Sequence, residues 1–267
     1  MDLGIKDKVM IVTGGSKGIG EGITKFLADE GAIPVIASRD KKTGEELVEE
    51  LKSSGKESYF VQAELSSIEK CKKVINETIS KYGKIDALIN NAGTNDAIGL
   101  EKGSPEKFLT SLNNNLYHYY YLAHYALEAL KKSHGSILNI SSKTAFTGQG
   151  NTSGYAASKG AQIALTREWA VELLPYKIRV NAVIPAEVMT PLYEKWLSTL
   201  DNPEQKLREI TKNIPLGNRM TTKKEIASMV AYLVSEQASH ITGQIVFVDG
   251  GYVHLDRSLA GITNTSK

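Results

Sequence analysis

Short apolar runs rich in β-branched residues alternate along the chain with longer stretches whose apolar residues recur every three or four positions. The runs Val9–Thr13, Ile33–Ser38, Ser58–Gln62, Ala87–Asn90, Ser136–Ile140, Arg179–Ile184 and Ile245–Val248 read as strands. Between them, Ile19–Gly31, Thr43–Ser54, Ser67–Tyr82, Ser104–Lys132, Ser153–Leu174 and Thr222–Ser235 read as helices ended by glycine or polar residues. With right-handed crossovers this alternation predicts an α/β fold: one doubly wound parallel sheet of about seven strands, helices on both faces, and ligands at the carboxyl ends of the strands. Pro34 fits a strand only as its first residue. Residues Thr190–Ile214 break the rhythm as a helical insertion, and at the carboxyl edge an insertion at about 190–215 is a candidate lid over a substrate. No repeat or linker divides the 267 residues, so a single domain spanning 1–267 is expected.

Charge and composition narrow the class. The 32 Lys and Arg against 30 Asp and Glu leave a net charge of +2, too small a surplus to coat a polyanion, so no nucleic-acid partner is expected. The aromatic run Tyr117–Tyr125 therefore reads as core or subunit contact and not as a base-stacking platform. No apolar run of about 18 residues appears, which predicts no membrane span. Asp2, Lys6, Asp7 and Lys8 interrupt the first twelve residues, so no export signal is expected. Cys71 is alone and cannot close an intrachain disulfide. His118 and His124 lie six positions and about 240° apart on a helix, so no metal cluster is expected. A reducing, cytoplasmic compartment follows.

Thr13-Gly14-Gly15-Ser16-Lys17-Gly18-Ile19-Gly20 ends the first strand and opens the first helix. There a dinucleotide pyrophosphate meets free backbone N–H groups and the positive helix end, while the glycines allow close approach. The placement makes the sheet Rossmann-like. The stretch also satisfies Gly-x-Ser-x-Gly, the hydrolase nucleophile elbow, but Ser16 follows the very first strand, with no upstream strand to carry an oxyanion loop.

Together with Asn90-Asn91-Ala92-Gly93, Ser142 and Tyr155-Ala-Ala-Ser-Lys159, this loop resembles the short-chain dehydrogenase/reductase family over essentially the whole chain. Ser142 stands thirteen residues before Tyr155, as in that family, and Tyr155 and Lys159 share a helix face at i, i+4. The resemblance implies an NAD(P)-dependent dehydrogenase acting on a CH–OH group. Tyr155 is its base, Ser142 the anchor of the substrate oxygen, and Asn115 holds a water that connects Lys159 to solvent. A tyrosine base working near neutral pH needs its pKa brought from about 10 to about 7, roughly 4 kcal/mol of differential stabilisation. The Lys159 ammonium and a nicotinamide cation have the right sign to supply it.

For the cofactor, the resemblance implicates Gly14, Ser16, Lys17, Gly18, Ile19, Gly20, Ser38, Arg39, Glu64, Leu65, Asn91, Ala92, Gly93, Ile140, Tyr155, Lys159, Pro185, Val188 and Thr190. Arg39 can fork onto a 2′-phosphate and Lys17 adds charge on the same side, which favours NADP. NAD stays possible if Asp40 receives the ribose. Glu64 replaces the family's usual Asp and Ala186 its usual glycine.

Glu187 puts a carboxylate beside the expected reaction centre, where it is costly unless paired. A polyhydroxylated substrate satisfies it, or else a lysine or the backbone. With Lys143, Gln149 and Asn151 it makes a polar pocket, so Ser142, Lys143, Gln149, Tyr155 and Glu187 are the candidate substrate residues. Ser141–Tyr155, Ile184–Tyr193 and Phe247–Arg257 further resemble the bacterial members of the family that oxidise L-fucose. That implies oxidation of an aldose at its anomeric carbon to a lactone. A reductase of another polar carbonyl or sugar-derived keto acid, or a non-catalytic dinucleotide sensor, stays open. The resemblance also implies a homotetramer built on the Tyr117–Tyr125 helix and Ser153–Leu174. The tail Tyr252–Arg257 either reaches a neighbouring subunit or ties down the C-terminus.

Overall fold

The computed structural model describes residues 2–255. In chain order these form β1 (Val9–Thr13), α1 (Gly18–Asp29), β2 (Ile33–Ser38), α2 (Lys41–Ser53), β3 (Tyr59–Gln62), α3 (Ile68–Tyr82) and β4 (Ala87–Asn90). There follow α4 (Pro105–Leu112), α5 (His118–Ser133), β5 (Ser136–Ile140), α6 (Ser153–Glu172), β6 (Arg179–Pro185), α7 (Pro191–Leu197), α8 (Pro203–Lys212), α9 (Lys223–Val234) and β7 (Ile245–Val248). The strands form one seven-stranded sheet in the order β3-β2-β1-β4-β5-β6-β7, every neighbouring pair parallel. Strand order reverses between β1 and β4, the crevice where such sheets bind ligands.

Strand periodicity decides which helices cover which face. Val9 and Ile11 of β1 pack with Val74 of α3, Leu122 of α5 and Trp169 of α6. Met10 and Val12 turn to the other face, against Ile23 and Leu27 of α1 and Ile226 and Val230 of α9. Side-chain caps start α2, α3, α4, α7 and α9, through Asp40, Ser67, Ser104, Thr190 and Thr222. Each is worth about 1 kcal/mol. α1 has none: Lys17 occupies its cap position without a side-chain bond.

Two elements depart from the sequence expectation. Pro34 is the second residue of β2, inside the sheet. Ile33 donates to Lys8 on the β1 side, so alternation turns the Pro34 nitrogen toward β3, whose pairing begins only at Val35. The stretch read as one helix from Ser104 is interrupted at Asn113–Tyr117 by a π-turn. Three successive asparagines are poor helix formers there, and the turn drives Asn115 inward. The insertion at 190–214 is two helices, α7 and α8, separated by a turn. Among the described residues no helix is long and apolar enough to cross a membrane.

His118, just past the π-turn, is 1% exposed, and burial pushes its imidazole down to about 4. The folded state therefore refuses a proton that the unfolded chain accepts near its ordinary value of about 6.5. Its contribution is complete above that value and lost as pH falls toward 4. Urea unfolding midpoints of the wild type should decline over that window, and His118→Gln should decline less steeply.

Candidate active site

The glycine turn is fastened from β4. The Asn91 side chain donates to the carbonyls of Thr13 at 2.9 Å and Gly14 at 3.5 Å, and the Asn91 and Ala92 N–H groups donate to the Thr13 hydroxyl at 2.8 and 3.0 Å. Gly14 and Gly18 have φ of 61° and 59°, left-handed values that favour glycine. At Gly20 a Cβ would lie 2.1 Å from the Gly14 carbonyl oxygen. Only bare backbone fits this cradle, and the uncapped first turn of α1, including Ile19, stands above it. These features fit a dinucleotide pyrophosphate.

Every candidate strand-end residue falls at the carboxyl edge. Ser38 and Arg39 follow β2, Glu64 and Leu65 follow β3, Asn91, Ala92 and Gly93 follow β4, Ile140 ends β5, and Pro185 ends β6 ahead of Glu187, Val188 and Thr190. Ser16 and Ser38 share a hydrogen bond of 2.9 Å, tying the turn to β2. Lys17 pairs with Asp40 at 2.5 Å, and this bond, with the Thr43 N–H, holds the Asp40 carboxyl below its usual range. Arg39, 76% exposed, stands 3.9 Å from Glu64. Leu65 is buried, its carbonyl accepting the Cys71 thiol. Val188 bridges to Thr221. Thr190 caps α7 and faces Gly18, where a Cβ would meet its methyl at 3.3 Å.

Lys159 is 3% exposed. Its ammonium donates to the Ile140 carbonyl at 2.8 Å, Gln162 Oε1 at 3.2 Å and the Tyr119 hydroxyl at 3.5 Å, and lies 5.5 Å from the centre of the Tyr155 ring. Burial pushes Lys159 down to about 7 and Tyr155 up to about 12, the latter opposed by a hydrogen bond with Ser142. The Tyr155 ring is only half-buried overall, so it is at the hydroxyl end that protein replaces water. Protein groups alone therefore leave the phenol far from the value a base needs: desolvation outweighs the Ser142 hydrogen bond. Asn115 is buried, its side chain donating to the Ser111 carbonyl at 3.0 Å and accepting the Thr94 N–H at 2.7 Å. Its backbone carbonyl accepts Gln162 Nε2 at 2.7 Å.

Beyond Ser142 the site turns polar. Lys143 and Glu187, with side chains 10% and 12% exposed, form an ion pair. Lys143 Nζ also sits 4.0 Å from the centre of the Tyr252 ring. The Tyr193 hydroxyl bonds to Glu187, and burial first and that carboxylate second raise its pKa. Of the partners weighed for Glu187, the lysine is present. Glu187 and Tyr252 also line a cavity of about 190 Å³ with Lys206, Glu209, Ile210 and Asn213 of the α8 region. Gln149 is exposed and bonds to none of these residues, and Asn151 packs against the backbone at Gly99. In the tail, Asp249 accepts the N–H groups of Gly251 and Val253 in a local turn; Arg257 lies outside the described residues.

Sequence reasoning passed over Gln162, Tyr119 and Tyr193. Gln162 carried a signal, a polar residue one turn after Lys159 on the same face. Tyr119 carried none beyond its place in an aromatic run.

Residues 14–253 match a family model described as enoyl-(acyl carrier protein) reductase. An L-fucose dehydrogenase of Oryctolagus cuniculus is 35% identical over 245 residues, 91% of this chain and 84% of that protein. The 3-oxoacyl-[acyl-carrier-protein] reductase FabG of Thermotoga maritima is 35% identical over 252 residues, covering 93% and 99%. Among solved structures, Cj0485 dehydrogenase superposes with a TM-score of 0.92 at 52% identity, covering 97% of this chain and 99% of that one. Ligand-free aldohexose dehydrogenase of Thermoplasma acidophilum gives 0.87 at 33%, covering 96% and 98%.

Gly20→Ala tests the cradle. A Cβ there must displace the Gly14 carbonyl or the Asn91 amide, 2.1 and 2.6 Å away. Dinucleotide affinity measured by calorimetry should fall by about tenfold or more, with far-UV circular dichroism unchanged.

Proposed function

The chain belongs to the short-chain dehydrogenase/reductase family and is an oxidoreductase using a nicotinamide dinucleotide, and from that premise we propose that it oxidises the anomeric hydroxyl of an L-fucose-like aldose to the lactone. When bound, the nicotinamide supplies the hydride acceptor. Ser142 holds the reacting hydroxyl, Tyr155 as the phenolate takes its proton and becomes the phenol, and the Lys159 ammonium favours the phenolate before that transfer. Asn115 orders the segment at Thr94 beside them.

The observation that carries the substrate class is the Lys143–Glu187 pair, nearly buried and backed by Tyr193. Desolvating two charges costs several kcal/mol per ion unless further hydrogen bonds compensate. Sugar hydroxyls offer both donors and acceptors to this pair, whereas an acyl chain offers neither. A relative named for L-fucose and a structural neighbour named for aldohexoses support the same reading. The relative named as an acyl-carrier-protein reductase keeps a second one, reduction of a polar carbonyl by the same residues. Helices α7 and α8, which contribute Tyr193 and the cavity wall, make a lid over the sugar within a single domain.

For the cofactor we infer NADP over NAD. Asp40 accepts Lys17 at one oxygen and the Thr43 N–H at the other, a helix-cap role that supports the phosphate reading over a ribose contact. Arg39 is largely exposed and only loosely paired with Glu64, at 3.9 Å, so its fork can turn to a phosphate. Homotetramer assembly would cover the exposed Tyr120, Val171, Leu174 and Tyr176 around α5 and the end of α6. A buried free thiol at Cys71 suits a cytoplasmic compartment.

A panel of aldoses and 3-oxoacyl esters, followed by nicotinamide absorbance, tests the substrate. L-Fucose or a close stereoisomer should be turned over best, Tyr155→Phe should abolish turnover, and Glu187→Gln should lower kcat/KM for the sugar about tenfold with NADP affinity unchanged. Acyl esters outrunning every aldose would overturn the reading. Separately, Arg39→Ala should raise KM for NADP by about tenfold, the loss of a charge-assisted pair, and leave NAD kinetics within about twofold.

A further inference from the structure

An ammonium has three N–H donors, and the structure gives Lys159 three acceptors: the Ile140 carbonyl, Gln162 Oε1 and the Tyr119 hydroxyl. All three are neutral, and among the described residues no carboxylate pairs with it. The titratable groups facing it are Tyr155 on its own helix, and Tyr119 and His118 on α5; the charge of Lys159 opposes protonation of His118. From the β4 side it meets the backbone at Gly93, and from β5 the Ile140 carbonyl. Tyr119 is committed elsewhere, donating its own proton to Ile140 at 3.0 Å.

Gln162 is different because both its ends are used. Its Nε2 donates to the Asn115 carbonyl while its Oε1 accepts Lys159. Lysine can only donate and a carbonyl only accept, so the amide has a single permitted orientation. It is fully buried, where an amide is tolerated only if both ends find partners. Its backbone carbonyl in turn accepts the Thr166 hydroxyl at 2.7 Å, and Thr166 accepts Asn139, so the strut is anchored to β5.

We propose that Gln162 is a positioning residue that braces the Lys159 ammonium against the Asn115 carbonyl at the π-turn and thereby sets how much positive charge stands beside the Tyr155 phenol. Hydrogen bonds to a charged form favour that form. Burial has already brought Lys159 to about 7, so it is partly discharged at neutral pH and a lost acceptor changes its charge directly. The proposal concerns the Tyr–Lys pair and is independent of which alcohol or carbonyl is the substrate.

The test is a titration of the free protein labelled at lysine ¹³Cε, the Lys159 resonance being assigned by its loss in Lys159→Met. Gln162→Met keeps length and removes both bonds; its Lys159 midpoint should fall by about one pH unit. Gln162→Glu places a carboxylate at the acceptor position, and the midpoint should rise by about one unit or more. In kcat/KM profiles with any substrate turned over, the acid limb should move up in Gln162→Met, where the phenol loses part of its cation. A Lys159 midpoint unmoved in Gln162→Met overturns the proposal. If that variant does not fold, an unmoved midpoint in Gln162→Glu does so. Because the titration needs no substrate, failure of the sugar reading leaves it intact.

Discussion

The site depends on burying a lysine ammonium that pairs with no carboxylate among the described residues. A carboxylate next to Lys159 would hold it charged at every working pH but would also cancel its field at Tyr155, where a positive potential is wanted. Neutral acceptors avoid that cancellation. They stabilise the ammonium by hydrogen bonding and leave its net charge uncompensated, at the cost of a pKa brought close to neutrality by burial. The architecture around the site can be understood as the supply of those acceptors.

Three distant elements provide them. The last carbonyl of β5 points past the sheet edge, α5 brings Tyr119 to the same carbonyl, and α6 carries Lys159 and Gln162 one turn apart. The π-turn at Asn113–Tyr117 is what makes the third contact possible. By breaking the regular helix ladder it turns the Asn115 carbonyl to Gln162 while the Asn115 side chain reaches Thr94 at the end of the β4 loop. A regular helix across 104–133 would have committed that carbonyl to its own ladder.

What was readable in the sequence follows the same division. The sheet, its order-reversing crevice and the glycine turn were legible because they rest on local chemistry: apolar runs, helical spacing, and glycines at left-handed positions such as Gly14 and Gly18. Tyr155, Lys159 and Ser142 were legible through spacing and family resemblance. Gln162 and Tyr119 were not, because their meaning lies in partners 47 and 21 residues away, Asn115 and Ile140, whose orientation is set by tertiary packing. The π-turn was hidden for a related reason. Asparagine weakens a helix without saying whether it ends, kinks or bulges, and here the need to satisfy buried polar groups decides.

The two buried lysines of the site make opposite electrostatic choices, and the contrast bears on their roles. Lys143 is matched to Glu187, so the pair is locally neutral and projects dipoles, not net charge, which suits recognition of hydroxyl groups and leaves the reaction centre's potential undisturbed. Lys159 has no such match, so its charge is exposed to small changes in its acceptors. Had Glu187 faced Lys159 instead, the phenol would have lost its cation and the pocket its orienting pair. The segregation holds because Lys143 lies in the turn after β5 and reaches toward β6, while Lys159 sits a full helix away and reaches back to the end of β5. Lys159 donates to the Ile140 carbonyl at the end of β5 while Lys143 pairs with Glu187 beyond β6, so the two ammonium groups answer to different partners.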